Sequence, residues 1–298
     1  MRLSTGAAFL AFALCAGGPA AAQTKSRPAP IGSVESVQLS ASVERGKQVF
    51  PLAPGMELKE GDRVNTGARS RLMLKLAEGS TVKLGEKASL FFDKAQARDD
   101  GVFEAALFVA EGAFRFTTGA LGRLTGKRDV TIAVNNVTAG IRGTDLWGKS
   151  TQESDIVCLI EGSIEVTPPG EKPFTLDQRY SFYALEGNLS KPVETVPADK
   201  MSAWAAETEQ ESGQGVATRG GKWKISAAGF RKSGDAFEAY NALRRAGYAA
   251  EFFPEKSGEA RSYTVRLSNF ASEKDAKSGV EALKAQPELA KYPYKVGM

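Results

Sequence analysis

The sequence predicts a multi-domain protein in which an all-β domain precedes a smaller α+β domain. Three observations lead to this prediction. Short runs with alternating apolar residues recur between residues 31 and 185. Residues 222–298 combine strand-like runs with two helix-like runs. Two similar segments, WKISAAGF at 223–230 and YTVRLSNF at 263–270, each directly precede one of the helix-like runs. The 298 residues are enough for two modest domains.

Residues 1–22 have the layout of a secretory signal peptide. Arg2 is followed by an apolar run from about Ala7 to Ala16, and small residues lead to a cleavage site predicted after Ala22. The apolar run is too short to span a bilayer, and no later stretch reaches the ~18 uncharged apolar residues that a spanning helix needs. We therefore expect a periplasmic protein whose mature chain has no transmembrane segment.

The cysteine and histidine content limits the kinds of catalytic and metal site that the protein can contain. Cys15 lies in the predicted signal, and Leu14 before it is too bulky for a lipid-attachment site. Cys158 is then the single thiol of the mature chain, and we predict it to be a buried core residue. The chain has no histidine, which excludes Ser-His-Asp and Cys-His catalytic arrangements and removes the commonest metal ligand. We expect no enzymatic activity, no cofactor and no bound metal.

The first domain, residues 31–185, is predicted to consist of short strands. Runs such as RLMLKLA at 71–77, AFRFTT at 113–118 and DVTIAV at 129–134 alternate apolar and polar residues. Gly, Asn, Asp or Pro separates the runs. Short strands that are separated by such turn residues indicate a sandwich, a roll or a short solenoid.

Residues 186–221 have the composition of a linker. Pro192 and Pro197 come early, residues 198–210 are compatible with one helix, and residues 212–221 are small, polar and rich in glycine. This composition predicts a segment that is flexible at its end and lets the two domains move semi-independently.

The second domain, residues 222–298, reads strand, helix, strand, strand, helix, strand. The helices are predicted at 235–248 and 272–286, the latter with Ser272 as its amino cap. One β-α-β unit has too little core by itself. The repeat of about forty residues predicts two interlocked units, which give a ferredoxin-like four-stranded antiparallel sheet with both helices on one side.

Strand parity divides the side chains of this sheet into two groups. Four apolar side chains should face the helices: Ile225, Ala227, Val265 and Leu267. The opposite parity leaves an uncovered face, whose candidate binding residues are Lys224, Ser226, Ser262, Thr264 and Arg266. Residues 222–298 carry 14 Lys and Arg against 9 Asp and Glu. This surplus favours an anionic polymer as the partner of the face.

Residues 222–298 resemble the SPOR domain family. The resemblance rests on the two similar segments at 223–230 and 263–270, each of which begins with an aromatic residue. It also rests on Asp235-Ala236 and Asp275-Ala276 at the starts of the helices and on RAGY at 245–248. It implies binding to peptidoglycan glycan strands stripped of their peptides, through the face away from the helices. Ser226, Gly229 and Thr264 depart from the family pattern, which usually has Gln, Ser and often Arg there.

The second domain has two alternative interpretations besides glycan binding. The first is docking on a protein, which would make the chain a periplasmic sensor or scaffold with envelope or cell-division proteins as partners. The second is RNA recognition, which requires outward aromatic residues on the third strand. Thr264 and Arg266 occupy those positions, while Tyr263 has core parity, so we expect no nucleic acid partner.

Residues of about 55–168 resemble the FecR-like domain family. The resemblance rests on GDRVNTG at 61–67, on GIRGTDLW at 140–147 and on IEGSIEV at 160–166. It implies a periplasmic β-rich recognition domain and names no chemistry. Arg142, Thr144 and Asp145 form either a recognition loop or a turn whose side chains satisfy local backbone groups, and the second interpretation is favoured.

Overall fold

The structure is a computed structural model of the chain. It describes residues 30–298 except 99, 120–127, 142 and 258–259. The predicted signal peptide and Arg142 lie outside the described residues.

The N-terminal region is β-rich, as predicted. Its strands are β1 (Gly32–Gln38), β2 (Ala41–Arg45), β3 (Gln48–Pro51), β4 (Glu57–Leu58), β5 (Arg63–Thr66), β6 (Arg71–Leu76), β7 (Thr81–Leu84), β8 (Ser89–Ala97), β9 (Phe103–Thr117), β10 (Arg128–Val134), β11 (Val137–Ile141), β12 (Asp145–Ser150), β13 (Ser154–Glu161), β14 (Ile164–Thr167), β15 (Phe174–Leu176), β16 (Ser181–Glu186), β17 (Leu189–Ser190) and β18 (Glu194–Thr195).

These strands form two sheets that enclose one hydrophobic core. Sheet A runs β1-β6-β7-β9-β12-β13-β16, and sheet B runs β3-β2-β5-β8-β9-β10-β11-β14-β15. Fully buried residues of both sheets, such as Leu72 and Phe116 of sheet A and Leu90 and Ile132 of sheet B, belong to the same apolar cluster. The alternation of apolar and polar residues therefore encodes one inward side for each sheet.

Strand β9 belongs to both sheets. Its first part pairs with β8 and β10, and its last part pairs with β7 and β12. Gly112 stands where the strand changes sheets and has φ +85. A Cβ atom at this position would lie 2.5 Å from the Cα atom of Ala88. Only glycine combines this backbone conformation with so close an approach.

The remaining elements follow in chain order. They are α1 (Ala198–Ala206), β19 (Val216–Thr218), β20 (Trp223–Phe230), α2 (Ser233–Arg245), β21 (Glu251–Ser257), β22 (Ala260–Phe270), α3 (Glu273–Lys284), α4 (Pro287–Ala290) and β23 (Tyr294–Gly297). Ser272 accepts a hydrogen bond from the Asp275 N–H at 3.1 Å, which makes it the amino cap of α3 as predicted.

The C-terminal strands form an antiparallel sheet in the order β21-β22-β20-β23, called sheet C. Helices α2 and α3 pack against it. The four side chains predicted to face the helices are at most 5% exposed and share one apolar cluster with buried residues of both helices: Ile225, Ala227, Val265 and Leu267. The parity argument for this side of the sheet is confirmed.

Residues 186–221 differ from the prediction of a flexible linker. Helix α1 lies on the outer side of sheet A, where Trp204 stacks on Trp147 with ring centroids 4.8 Å apart. Met201 of the same helix contacts Cys158, whose Sγ atom is 3.5 Å from the Met201 Sδ atom. Composition alone indicated a linker because it carries no information on long-range packing.

The chain after α1 connects the two regions through residues 207–218, called the strap. Glu209 forms ion pairs with Lys83 at 2.5 Å and with Arg115 at 2.9 Å, both on sheet A. Further along, the fully buried Asp275 of α3 accepts hydrogen bonds from the backbone N–H groups of Gly213 and Val216 at 2.8 and 2.9 Å. The strap is thereby bonded to both regions.

Strand β19, at the end of the strap, extends the backbone pairing across the boundary. It pairs with β1 of sheet A through Ser36, Val37 and Gln38, and with β22 of sheet C through Phe270. The Ala41 N–H also donates to the Gly247 carbonyl at 3.2 Å. The two regions are therefore joined by continuous backbone hydrogen bonding.

Replacing Asp275 should destabilise the connection. The change Asp275→Ala leaves two strap N–H groups without their acceptor, and we expect a loss of about 2–4 kcal/mol together with faster proteolysis in the strap. The matched control is Asp235→Ala at the corresponding position of α2, where the side chain is exposed. Denaturant unfolding and limited proteolysis measure both variants. Equal losses in the two variants would contradict this account.

Cys158 should be unreactive in the folded protein. Its side chain is fully buried, and burial raises the pKa of the thiol to about 12. At pH 8 the thiol stays protonated, so reagents that attack the thiolate should label the native chain very slowly. In a Cys15→Ser background, mass spectrometry should detect labelling of Cys158 after denaturation. Rapid labelling of native protein would show that α1 does not protect the thiol.

Candidate functional site

The candidate site is the face of sheet C that is turned away from α2 and α3, called the open face. Lys295, Ser226, Arg266 and Glu251 stand side by side in one row across the four strands. Because directly paired residues of neighbouring strands point to the same side, all four project from the open face. Parity had assigned Ser226 and Arg266 to this face.

Arg266 is the central cation of the open face. Its guanidinium carbon lies 4.4 Å from the centroid of the Phe253 ring, within range of a cation-π contact. One terminal nitrogen is 3.6 Å from a Glu255 carboxylate oxygen. The side chain is 25% exposed, and its Nε atom is buried with no hydrogen-bond partner among the described residues. The ring and the guanidinium thus place an aromatic group and hydrogen-bond donors next to each other on the open face.

Thr264 has the predicted parity but not the predicted accessibility. It pairs with Phe253 of β21 and points to the open face, yet it is only 2% exposed. Thr264 lies on β22, which has a neighbouring strand on each side, so larger side chains surround this short one. The structure therefore removes Thr264 from the residues that can contact a ligand directly.

The other three predicted residues are half-buried. Lys224 pairs with Gly297 of β23, Ser226 pairs with Arg266, and Ser262 pairs with Glu255. Within the ranges that the structure describes, Lys224 forms no ion pair. The hydroxyl groups of Ser226 and Ser262 and the ammonium group of Lys224 therefore lie on the same face as the Arg266 guanidinium. Their role in binding stays a prediction.

Four residues of the open face were not predicted. Phe253, Glu251 and Glu255 come from β21, and Lys295 comes from β23. The prediction considered only the first and third strands of the domain. The two adjacent phenylalanines in AAEFFPE were a usable signal, because neighbouring residues of a strand point to opposite faces.

Most contacts between sheet C and the N-terminal region lie away from the open face. They involve the strap, Gly247 and the buried Asp275. At one end of the face, Glu251 and Ser268 border a cavity of about 60 Å³ that residues 52–54 also line. Glu251 accepts a hydrogen bond from Ser268 at 3.1 Å. The row through Ser226 and Arg266 is not covered by these contacts.

The second candidate, the loop of the FecR-like resemblance, has a structural role in the described residues. Thr144 is fully buried, and its hydroxyl donates to the Ser163 carbonyl at 2.8 Å. Asp145 is 6% exposed and forms a two-point pair with Arg115 at 2.9 and 2.7 Å. This hydrogen bonding raises the pKa of Arg115. Thr144 bonds a backbone carbonyl, as the turn interpretation expects, whereas Asp145 pairs with the Arg115 side chain of β9 and not with a local backbone group. Their role in recognition stays a prediction.

No helix in the described part of the chain is long and apolar enough to cross a membrane. No group of three or more Cys, Asp or Glu side chains there is placed to hold a metal ion.

Two family models match the chain. The model "FecR protein" matches residues 62–165, and the model "SPOR domain" matches residues 220–289. Both are non-catalytic binding or regulatory families, and the SPOR domain is typical of peptidoglycan-binding proteins of the envelope. No curated protein matches the chain.

Solved structures similar to this chain include two crystal structures of a proposed anti-sigma factor from Parabacteroides distasonis. One has a TM-score of 0.40 and 15% identity, with 48% of this chain and 64% of that chain covered. The other has a TM-score of 0.41 and 14% identity, with 61% and 73% covered. The chain thus spans a little under two thirds of the first of these relatives.

The two matched segments coincide with the two regions of the fold. Residues 62–165 fall within sheets A and B, and residues 220–289 cover β20, α2, β21, β22 and α3, while β23 of sheet C follows the matched segment. The chain therefore contains a FecR domain followed by a SPOR domain.

Proposed function

We propose that this protein is a non-enzymatic component of the cell envelope that binds peptidoglycan through the open face of its SPOR domain. The ligand is the glycan strand stripped of its peptides. The observation that carries the proposal is the Arg266 guanidinium, whose carbon lies 4.4 Å from the centroid of the Phe253 ring, on the sheet face turned away from α2 and α3. The protein reaches the periplasm by secretion and cleavage of residues 1–22.

The chemistry of the face suits a stripped glycan. Removal of the peptides exposes lactyl carboxylates, which guanidinium and ammonium groups bind through charge-assisted hydrogen bonds. The sugar rings offer flat apolar surfaces, which an aromatic plane covers well. Lys224 of β20 and Lys295 of β23 add positive charge to the face that carries Arg266.

The acidic residues of the face indicate the path of the polymer. Glu251 and Glu255 both lie on β21, at the edge of sheet C opposite β23. Negative charge on β21 repels lactyl carboxylates, and positive charge on β20 and β23 attracts them. The carboxylates of the glycan are therefore expected to lie over β22, β20 and β23, away from Glu251 and Glu255 of β21.

The FecR domain provides the second part of the proposal. Sheets A and B form a β-rich domain that presents a recognition surface to envelope or cell-division proteins, while the SPOR domain holds the chain on the wall. A second candidate is a periplasmic sensor or scaffold whose SPOR domain docks on a protein. The mixed charge on the open face, with Glu251 and Glu255 beside Arg266, is the observation that favours this alternative.

A sedimentation assay with purified sacculi separates the two candidates. Glycan binding should increase when the sacculi are treated with an amidase that removes the peptides, because more lactyl carboxylates are exposed. Docking on a protein should produce no binding to purified sacculi in either state. Sugar fragments released into the supernatant would contradict the non-enzymatic part of the proposal.

The double variant Arg266→Ala with Lys224→Ala should bind amidase-treated sacculi at least about tenfold more weakly, because two charge-assisted contacts are lost. The matched control is Lys277→Ala with Lys284→Ala, which removes two exposed charges from α3 on the other side of the domain. Circular dichroism checks that both variants are folded. Equal binding by the two double variants would exclude the open face as the glycan site.

A further inference from the structure

A cleft lies between the FecR and SPOR domains, on the side away from the open face. Its main cavity has a volume of about 480 Å³ and is lined by the turn before β6, by the strap and by α3. A second cavity of about 320 Å³ adjoins it on sheet A, and both are lined by Arg71 and Glu86. Cavities of this size at domain boundaries are common ligand sites.

The charged groups of the cleft have both signs. Arg69, Arg71 and Glu86 come from the FecR domain, Glu211 from the strap and Glu281 from α3. Throughout the described ranges, Glu211 and Glu281 take part in no ion pair. Their carboxylates are exposed and available to a cation that enters the cleft.

Arg71 provides an independent sign of a missing partner. One of its terminal nitrogens donates to the Ser70 carbonyl at 3.0 Å. Its Nε atom is buried and has no hydrogen-bond partner among the described residues. Buried donors are nearly always paired, and an acceptor that enters the cleft would pair this one. The best acceptor for a guanidinium is a carboxylate, which two parallel donors can bind.

We propose that this cleft binds a short zwitterionic peptide. The peptide carboxylate pairs with Arg71 and Arg69, and a peptide ammonium pairs with Glu281 and Glu211. The two adjoining cavities favour an elongated ligand over a single amino acid. Peptides of this chemistry are released when an amidase strips the glycan. Only this identification of the source rests on the proposed function, because binding in the cleft does not involve the open face.

The test is isothermal titration calorimetry of the full chain with a soluble probe. The probe is the tripeptide L-Ala-γ-D-Glu-meso-diaminopimelate, and the comparison peptides are an all-L Ala-Glu-Lys and the tripeptide with acetylated amines and amidated carboxyls. Saturable binding of the tripeptide, lost in the blocked form, is expected. Equal binding of the all-L peptide would overturn the wall as the source. Absence of binding by both unblocked peptides would overturn the proposal.

Variants assign the binding to the cleft. Arg71→Gln and Glu281→Gln should each weaken tripeptide binding roughly tenfold, because each removes one charged contact. Glu281 is an exposed helix residue, so its variant stays informative if Arg71→Gln is unstable. The control Lys75→Gln removes an exposed charge from the same strand as Arg71, outside the cleft, and should bind normally.

The result is also distinguishable from a failure of the proposed function. The Arg266→Ala with Lys224→Ala variant should bind the tripeptide like the unmodified chain, whatever its affinity for sacculi. Unchanged tripeptide binding in both Arg71→Gln and Glu281→Gln would place the peptide elsewhere and overturn the assignment.

Discussion

The carboxylate of Asp275 is fully buried, and its burial determines how the two domains are joined. An unpaired charge in such a place is very costly, so the carboxylate requires donors close by. The N–H groups of Gly213 and Val216 supply them, and the strap is fixed against α3 as a result. Strand β19 can then pair with β1 on one side and β22 on the other. The orientation of the two domains, and with it the cleft beside Arg71, depends on this arrangement.

The open face follows from a different constraint. Helices α2 and α3 pack on one side of sheet C, and among the described residues no helix lies against the second side. Its polar side chains must be stabilised by one another. Arg266 lies on Phe253 and near Glu255, which orders the guanidinium before any ligand arrives. An ordered binding group loses less conformational entropy on association than a free one, which favours affinity.

The FecR domain uses its charged residues mainly for its own architecture. The Arg115 guanidinium donates hydrogen bonds to the Asp145 carboxylate and to the carboxylate of Glu209 at the start of the strap. Asp145, one of the residues considered for a recognition loop, therefore takes part in connecting sheet A to the strap. Trp147 and Cys158 are buried for a related reason: they lie on the outer side of sheet A, and α1 covers them through Trp204 and Met201.

The sequence by itself determined the β-rich first domain, the element order of the second, and the helix-facing side chains of β20 and β22, because strand parity and helix periodicity are local properties. Local parity also assigned Thr264 to the open face, but burial depends on neighbouring strands, and only the tertiary structure decided that this side chain is inaccessible. The strap shows the same limit. Its glycine-rich composition predicts flexibility, whereas its backbone is bonded to Asp275, some sixty positions further along the chain. Such contacts leave no periodic signal in the segment that makes them.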